Sequence, residues 1–176
     1  PTQEQINAIF GTGNAILLTS GGSVLLDENG EYIIILQKSV KLDKPVVIPS
    51  GAAVHLELAG NDLIGKEEEP ALIVSGGPVL ISDSLGNGGI IGGKGTSGGA
   101  LGGNGAPGIV ASGDAIIMIE EDTVVKGGTG VNNGNGGSGI QADLTTNGSL
   151  VINGLISGGD GSANASEGGI SGNGGS

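Results

Sequence analysis

Six carboxylates stand where the reacting pair of a glycoside hydrolase could be sought: Asp83, Asp114, Glu120, Glu121, Asp122 and Asp143. That chemistry needs two carboxyl groups at a fixed separation, one to protonate the leaving oxygen and one to activate water or attack. All six lie in or beside stretches that read as turns, and the coil Ile140–Ile152 offers only Asp143, so solvated turn carboxylates are the simpler reading. The lone histidine, His55, has Glu57 two residues on, which is too small a set to hold a metal. Gly158-Gly159-Asp160-Gly161 opens like a calcium-binding nonapeptide, but the aspartate is out of place and the motif does not recur. Gly93-Lys94-Gly95-Thr96 lacks the order of a phosphate-binding loop and the helix that should follow it. No catalytic, cofactor-binding or metal-ligating residue is assigned.

Glycine, by contrast, is spaced with a rule. Gly86, Gly89, Gly92, Gly95 and Gly98 fall three apart; after a one-residue step so do Gly99, Gly102, Gly105 and Gly108. Gly127, Gly130, Gly136 and Gly139 keep that spacing in a second stretch, and a third occupies residues 158–176. Three residues per turn is the period of polyproline II, whose backbones pack side by side when every third residue is glycine. A flexible linker has no reason to keep a period. The glycine-rich excursions at residues 86–108, 127–139 and 158–176 are therefore expected to form an ordered polyproline II bundle, the first folding back near Gly98-Gly99.

Composition favours stacked layers as the support. Of 176 residues 40 are glycine, yet the stretches between them are rich in Val, Ile and Leu, too apolar for disorder. Only 6 prolines are present, too few for collagen. Phe10 and Tyr32 are the aromatic residues, and Trp, Cys and Arg are absent. Irregular cores use rings to fill space, whereas identical layers can be filled by aliphatic ladders. A net charge of −12 disfavours nucleic acid and anionic membrane as partners, and no apolar run approaches the roughly 20 residues of a membrane span. With Tyr32 the one tyrosine, a sugar would have little to stack on. A start at Pro1 without Met and an end in Gly-Gly-Ser suggest excision from a longer chain.

Residues 1–22 read as an N-terminal cap made of a short helix and an entry strand. Thr2 would cap the helix with Gln5 as reciprocal partner, and Ile6, Ile9 and Phe10 would form its apolar face. Laid over the first layer, that helix would block an open sheet edge. From residue 23 onward short strands are predicted at Val24–Leu26, Tyr32–Leu36, Val40–Leu42, Val46–Ile48, Val54–Leu58 and Leu63–Ile64. Turn signals separate them: Asn29-Gly30, Asp43-Lys44-Pro45, Pro49-Ser50-Gly51 and Gly60-Asn61. The acidic stretch Lys66–Glu69 reads as a solvated loop. Beyond it three coils align by hand from Ala71, Ile109 and Ile140, with Ile81, Ile119 and Ile152 stacked. The first two starts lie 38 positions apart and the next two 31, so the variation falls in the loops.

The segment Val46–Gly65, with its Ile48-Pro49-Ser50-Gly51 turn before a strand ending Leu58-Ala59-Gly60-Asn61, resembles the pectin-lyase-like right-handed parallel β-helix domains of Gram-positive bacterial surface proteins. The resemblance covers roughly Gly22–Gly159. It implies an all-β fold: a right-handed parallel β-helix, or solenoid, over residues 23–176, with the N-terminal capping helix and the glycine-rich bundle at one corner. It also implies an extracellular, cell-surface location and a non-catalytic structural or adhesive role, as a rigid stalk or an interaction surface. A host or cell-surface glycan or protein would be the partner, with neither nucleic acid nor membrane insertion involved. Enzymes of that fold include polysaccharide lyases, which need a cation at the uronate and acidic calcium ligands. This chain has no arginine, and none of its lysines sits in an acidic cluster beside a strand centre. Two further readings are a head-to-tail fibre, if the last coil is uncapped, and ice binding. The second comes from a resemblance to glycine-rich polyproline II antifreeze proteins, although Thr96, Thr129, Thr145 and Thr146 form no regular ladder.

Overall fold

The computed structural model describes residues 2–18, 31–96, 103–162 and 175. The expected strand Val24–Leu26, Gly98, Gly99 and Gly102 with their fold-back, and most of the third excursion lie outside these residues. Helix α1 (Gln3–Phe10) begins on a capping box: the Gln5 amide donates to Thr2 Oγ1 at 3.2 Å and the Thr2 amide donates to Gln5 Oε1 at 2.8 Å. Ile6 and Phe10 on its inner face are buried. Strand β1 (Ala15–Leu18) follows. Gln3 ties the helix to it, accepting from the Leu17 amide and donating to the Ala15 carbonyl, both at 2.9 Å.

From Glu31 the chain visits three sheets in rotation. The first round is β2 (Glu31–Leu36), β3 (Val40–Lys41) and β4 (Val46–Ile48); the second is β5 (Ala53–Glu57), β6 (Asp62–Ile64) and β7 (Leu72–Val74). The third is β8 (Pro78–Ser82), β9 (Gly89–Ile91) and β10 (Ile109–Gly113), and the fourth β11 (Ile116–Ile119), β12 (Val124–Lys126) and β13 (Ile140–Leu144). Strands β14 (Ser149–Ile152) and β15 (Leu155–Ser157) open a fifth. Each strand pairs in parallel with the one three places earlier. Among the described strands only β1 runs antiparallel, closing the edge of the sheet that begins with β2. The fold is thus all-β, with parallel sheets and one helix among the described residues.

Period-two alternation turns one face of every strand inward, and the register stacks like on like. Ile34, Leu56, Ile81, Ile119 and Ile152 form one ladder across five strands. Val40, Leu63, Ile90, Val125 and Ile156 form a second. Each fully buried rung removes enough apolar surface to contribute about 1.5–3 kcal/mol. Tyr32 belongs to this interior at 3% exposure, so it offers no platform for a sugar. One register differs from the sequence expectation: Leu72, not Ala71, lies opposite Ile109. Ala71 is buried just ahead of the strand, and its amide donates to the Gly108 carbonyl at 3.1 Å. A one-residue slip would have turned the inward face of β7 outward.

Candidate functional site

All the excursions leave at one corner, between the sheet of β3, β6, β9, β12 and β15 and the sheet of β4, β7, β10 and β13. In the first described round this corner is the short turn 42–45, and in the second it is the acidic loop 65–71. In the third and fourth it is an outgoing arm and a returning arm of glycine-rich backbone. The arms follow one hydrogen-bond rule. The first residue of a triplet donates along the stack to the arm of like direction one round on. Gly92 donates to Lys126 O at 2.9 Å, Gly95 to Thr129 O at 2.9 Å, Gly127 to Ser157 O at 3.0 Å and Gly130 to Asp160 O at 2.8 Å. The return arms do likewise, Gly105 to Asn135 O at 2.9 Å and Gly108 to Ser138 O at 3.1 Å.

The second residue of each triplet donates across, between outgoing and returning arms. A zigzag results: Ala106 to Gly93 O at 2.9 Å, then Gly128 to Ala106 O, Gly137 to Gly128 O, Gly159 to Gly137 O and Gly175 to Gly159 O, each at 2.8 Å. Third residues of the triplets carry the side chains, among them Lys94, Thr129, Asp160, Asn104 and Ser138. Wherever glycine stands at the other two positions, space and not backbone conformation excludes a side chain, although Thr96, Ala106 and Val131 do carry one at second positions. A Cβ built on Gly105 would stand 1.8 Å from Gly128 O, and one on Gly136 1.8 Å from Gly159 O. None of these arm glycines has φ in the left-handed range.

The sequence-assigned glycines divide accordingly. Gly92, Gly95, Gly105, Gly108, Gly127, Gly130, Gly136 and Gly139 lie in the arms and meet backbone at close range. Gly89 lies inside β9, paired between Asp62 and Val124. Gly86 closes an exposed turn with φ of 70°, and its amide donates to Asp83 O at 3.1 Å. The first excursion therefore starts at Gly92 rather than Gly86, because the count of three ran on through a strand and a turn that use glycine for other reasons.

The acidic loop covers the open side of the first outgoing arm, a task its composition did not announce. Glu69 O accepts from the Gly93 amide at 2.9 Å and Lys94 O accepts from the Glu68 amide at 3.0 Å. The Glu68 carboxylate takes the Thr96 amide at 3.2 Å and the Thr96 hydroxyl at 2.5 Å, which holds its carboxyl below the usual range. The Gly93, Gly95 and Thr96 amides are thus all engaged within the chain.

The sequence-predicted carboxylates serve turns. Asp83, 4% exposed, accepts from the Gly60 amide at Oδ1 and the Gly88 amide at Oδ2, each at 2.5 Å. Thr145 Oγ1 donates to Asp114 Oδ1. Glu120, Glu121, Asp122 and Asp143 are exposed, and Asp160 pairs with Lys126 at 3.4 Å. Among the described residues no three His, Cys, Asp or Glu side chains gather as a metal site.

One cluster went unseen in the sequence. Parallel register sets Glu57 opposite Ser82 and His55 opposite Leu80. Ser82 Oγ then lies 2.7 Å from His55 Nε2 and 2.5 Å from Glu57 Oε2. Burial would raise the Glu57 carboxyl. The Ser82 hydroxyl, the Ser84 amide and hydroxyl and the Ala59 amide overcome that and hold it below the usual range. A hydroxyl has one proton, and here it goes to the carboxylate, so His55 Nε2 is the donor to Ser82 Oγ. That is the reverse of an activated serine, and Ser82 is only 5% exposed. The cluster locks adjacent strands together.

An apolar cavity of about 230 Å³ lies beneath α1, lined by Ile6, Phe10, Tyr32, Ile34 and Leu56 among others, with no carboxylate, lysine or histidine among the described lining residues. No helix among the described residues is long and apolar enough to cross a membrane. Comparison of the chain with protein-family models, with curated proteins and with solved structures finds no match.

Proposed function

We propose that the chain is a right-handed parallel β-helix carrying a polyglycine-type polyproline II bundle on one corner, and that it serves as a rigid, non-catalytic stalk or adhesive module of an extracellular bacterial surface protein. The rotation of the chain through three parallel sheets supports the helix. Its hand follows from the preference of parallel crossovers within a sheet, about 98% right-handed. The triplet rule of the arms and the close backbone approach at their glycines support polyproline II, which makes no internal hydrogen bonds and must find partners in neighbouring arms.

The observation that carries the functional reading is the zigzag from Gly93 to Gly175. Backbone groups that would otherwise be open to a ligand are spent on holding one arm to the next, so both layers resist bending and neither presents a reacting pair. The location rests on the resemblance of Val46–Gly65 to surface-protein β-helices. A glycan or protein on a host or neighbouring cell would meet the exposed triplet side chains.

Deletion of residues 94–104 tests the structural role. The remaining strands should keep their β-sheet circular dichroism while the melting temperature falls by several degrees. An unchanged melting temperature would show that the arms stiffen nothing. Release of reducing or unsaturated ends from any polysaccharide by the intact chain, lost in Glu57→Gln, would replace the structural reading with an enzymatic one.

A further inference from the structure

We propose that loop 66–69 is an acid-labile strap: with Glu68 ionised it closes the open side of the first outgoing arm, and protonation of that carboxyl lets it lift away. The inference rests on the packed bundle read above and adds a condition under which one side of it opens.

Every residue of the loop is engaged. Lys66 pairs with Glu69 at 3.1 Å and the Glu69 amide donates to Lys66 O at 3.0 Å, which closes the loop on itself. Glu67 pairs with Lys41 of β3, which anchors the loop to the sheet. The remaining bonds reach the arm. Glu69 O accepts from the Gly93 amide and the Glu68 amide donates to Lys94 O. A single carboxylate oxygen, Glu68 Oε1, accepts from both the amide and the hydroxyl of Thr96.

Strain makes the closed form conditional. Glu68 has φ of 61°, in the left-handed region. Among the described residues Ala59, Asp122, Asn132 and Asn133 are the other non-glycines with positive φ, and Asp and Asn tolerate it through their short polar side chains. Glutamate has no such tolerance, so its conformation persists only while surrounding contacts impose it. At Glu68 those contacts are the bonds to Thr96 and Lys94, and the two to Thr96 depend on the carboxylate charge.

Hydrogen bonds to an ionised acceptor are roughly twice as strong as neutral ones. The Thr96 hydroxyl and then the Thr96 amide hold the Glu68 carboxyl below its usual range. Closure is therefore favoured above the ordinary glutamate value of about 4.3, and that contribution is lost as pH falls through the lower, closed-state value. The charged groups on the surrounding elements are Lys66, Glu67 and Glu69 in the loop, Lys94 in the arm, Lys41 on β3, and Asp43 and Lys44 in the turn 42–45. The lysines keep their charge through this range. Glu67 is held below its usual range by its bond to Lys41, so its protonation loosens the same loop in the same direction. Opening bares the Gly93 amide and the Lys94 carbonyl, backbone groups of the kind by which successive arms hold one another. The bundle then offers in acid an edge that it covers at neutral pH.

Amide hydrogen exchange of the 176-residue chain, corrected for the intrinsic pH dependence of exchange, tests this from neutral pH to below the Glu68 value. Protection at Gly93 and Thr96 should fall at least ~5-fold as charge-assisted bonds become ordinary ones. Gly95, whose amide donates to Thr129 O at 2.9 Å, should keep its protection. Glu68→Gln should show the lowered protection already at neutral pH and no further step in acid, while Glu67→Gln should retain the step. Thr96 protection that does not change with pH overturns the proposal. So does a step that survives in Glu68→Gln and vanishes in Glu67→Gln, which would assign release to the Lys41 pair.

Glu68→Gly keeps the left-handed backbone without strain and removes the carboxylate. Gly93 should then stay protected at both ends of the range, and its exposure in acid would refute the part given to strain. Circular dichroism of each variant checks that the sheets persist. An unprotected Gly95 in the parent at neutral pH would sink the packed bundle and the strap with it; a protected Gly95 beside a pH-insensitive Thr96 sinks the strap alone.

Discussion

Replacing Gly128 by alanine puts a methyl group where the next backbone already stands. The added Cβ would lie 1.9 Å from Gly93 O and 2.5 Å from Gly93 C, both fixed main-chain atoms. Restoring ordinary contact needs a displacement of about 1 Å or more, too large for a rotamer change to absorb. The arm that moves carries two hydrogen bonds of 2.8 Å, Gly128 N to Ala106 O and Gly137 N to Gly128 O. At about 0.5–1.5 kcal/mol net each, their loss costs about 1–3 kcal/mol. Residual crowding adds about 1–3 kcal/mol, offset by about 0.4–1 kcal/mol from the stiffer unfolded chain. The sum, about 1–5.5 kcal/mol, corresponds to a melting temperature lower by about 2–22 °C for a chain of this length. Gly89→Ala is the matched control, in phase with Gly92 and Gly95 by sequence but inside β9. Its Cβ would meet Val124 O at 3.1 Å and Val124 Cβ at 3.5 Å. That change should stay within about 1 kcal/mol. Thermal unfolding by circular dichroism reads both, and hydrogen exchange at the Gly105 and Gly137 amides should speed up only in Gly128→Ala. Equal melting of Gly128→Ala and the parent, or an equal fall in Gly89→Ala, would refute the packed bundle.

Three further outcomes follow from particular contacts. Asp83→Ala leaves the Gly60 and Gly88 amides without their buried acceptor and should cost about 2–6 kcal/mol at about 1–3 kcal/mol per orphaned donor; an effect below about 0.5 kcal/mol in denaturant unfolding contradicts the assigned role. Phe10→Ala, which empties the 2%-exposed site under the capping helix, should cost about 3–4 kcal/mol; a negligible loss would mean that α1 is not docked. Glu57 has a folded pKa below its unfolded one, so it stabilises above the ordinary glutamate value of about 4.3 and that contribution is lost as pH falls through the folded value. Glu57→Gln should therefore melt below the parent at neutral pH and draw level once pH has fallen below the folded value, and a constant gap from neutral to acid pH would count against the Ser82 and Ser84 bonds.

How far the sequence could be read depended on whether a residue's partners were local. Thr2 and Gln5 sit one helical turn apart, so the capping box was legible before any fold was known. Val46–Ile48 stood between turn residues and needed no distant information. The Glu57–Ser82–His55 cluster joins residues more than twenty positions apart through the register of β5 on β8. Unequal rounds conceal that register until the strands are paired. Tyr32 was ambiguous for another reason: its strand, Glu31–Leu36, is apolar at every position after the first, so alternation could not say which side was inside. Loop 66–69 acts on the bundle through Glu69 O and Glu68 N as well as the Glu68 side chain, and backbone contributions leave no mark in composition.

The glycine period was the most informative local signal and also the one that overran its domain. Gly86, Gly89 and Gly92 keep one spacing for three physical reasons: a positive φ, a place in a strand, and a backbone too close for a Cβ. The third reason explains why a bundle can exist beside the sheets at all. Arms of successive rounds are hydrogen-bonded to one another as the strands are, so both layers must advance by one strand separation, about 4.8 Å per round. A side chain at Gly105, Gly128 or Gly137 would force the arms apart and break that match. Aliphatic ladders set the rise in the sheets, and glycine lets the arms adopt it. The first outgoing arm has no earlier arm to rest on, and loop 66–69 takes that place by bonding Gly93 and Lys94 as a neighbouring arm would.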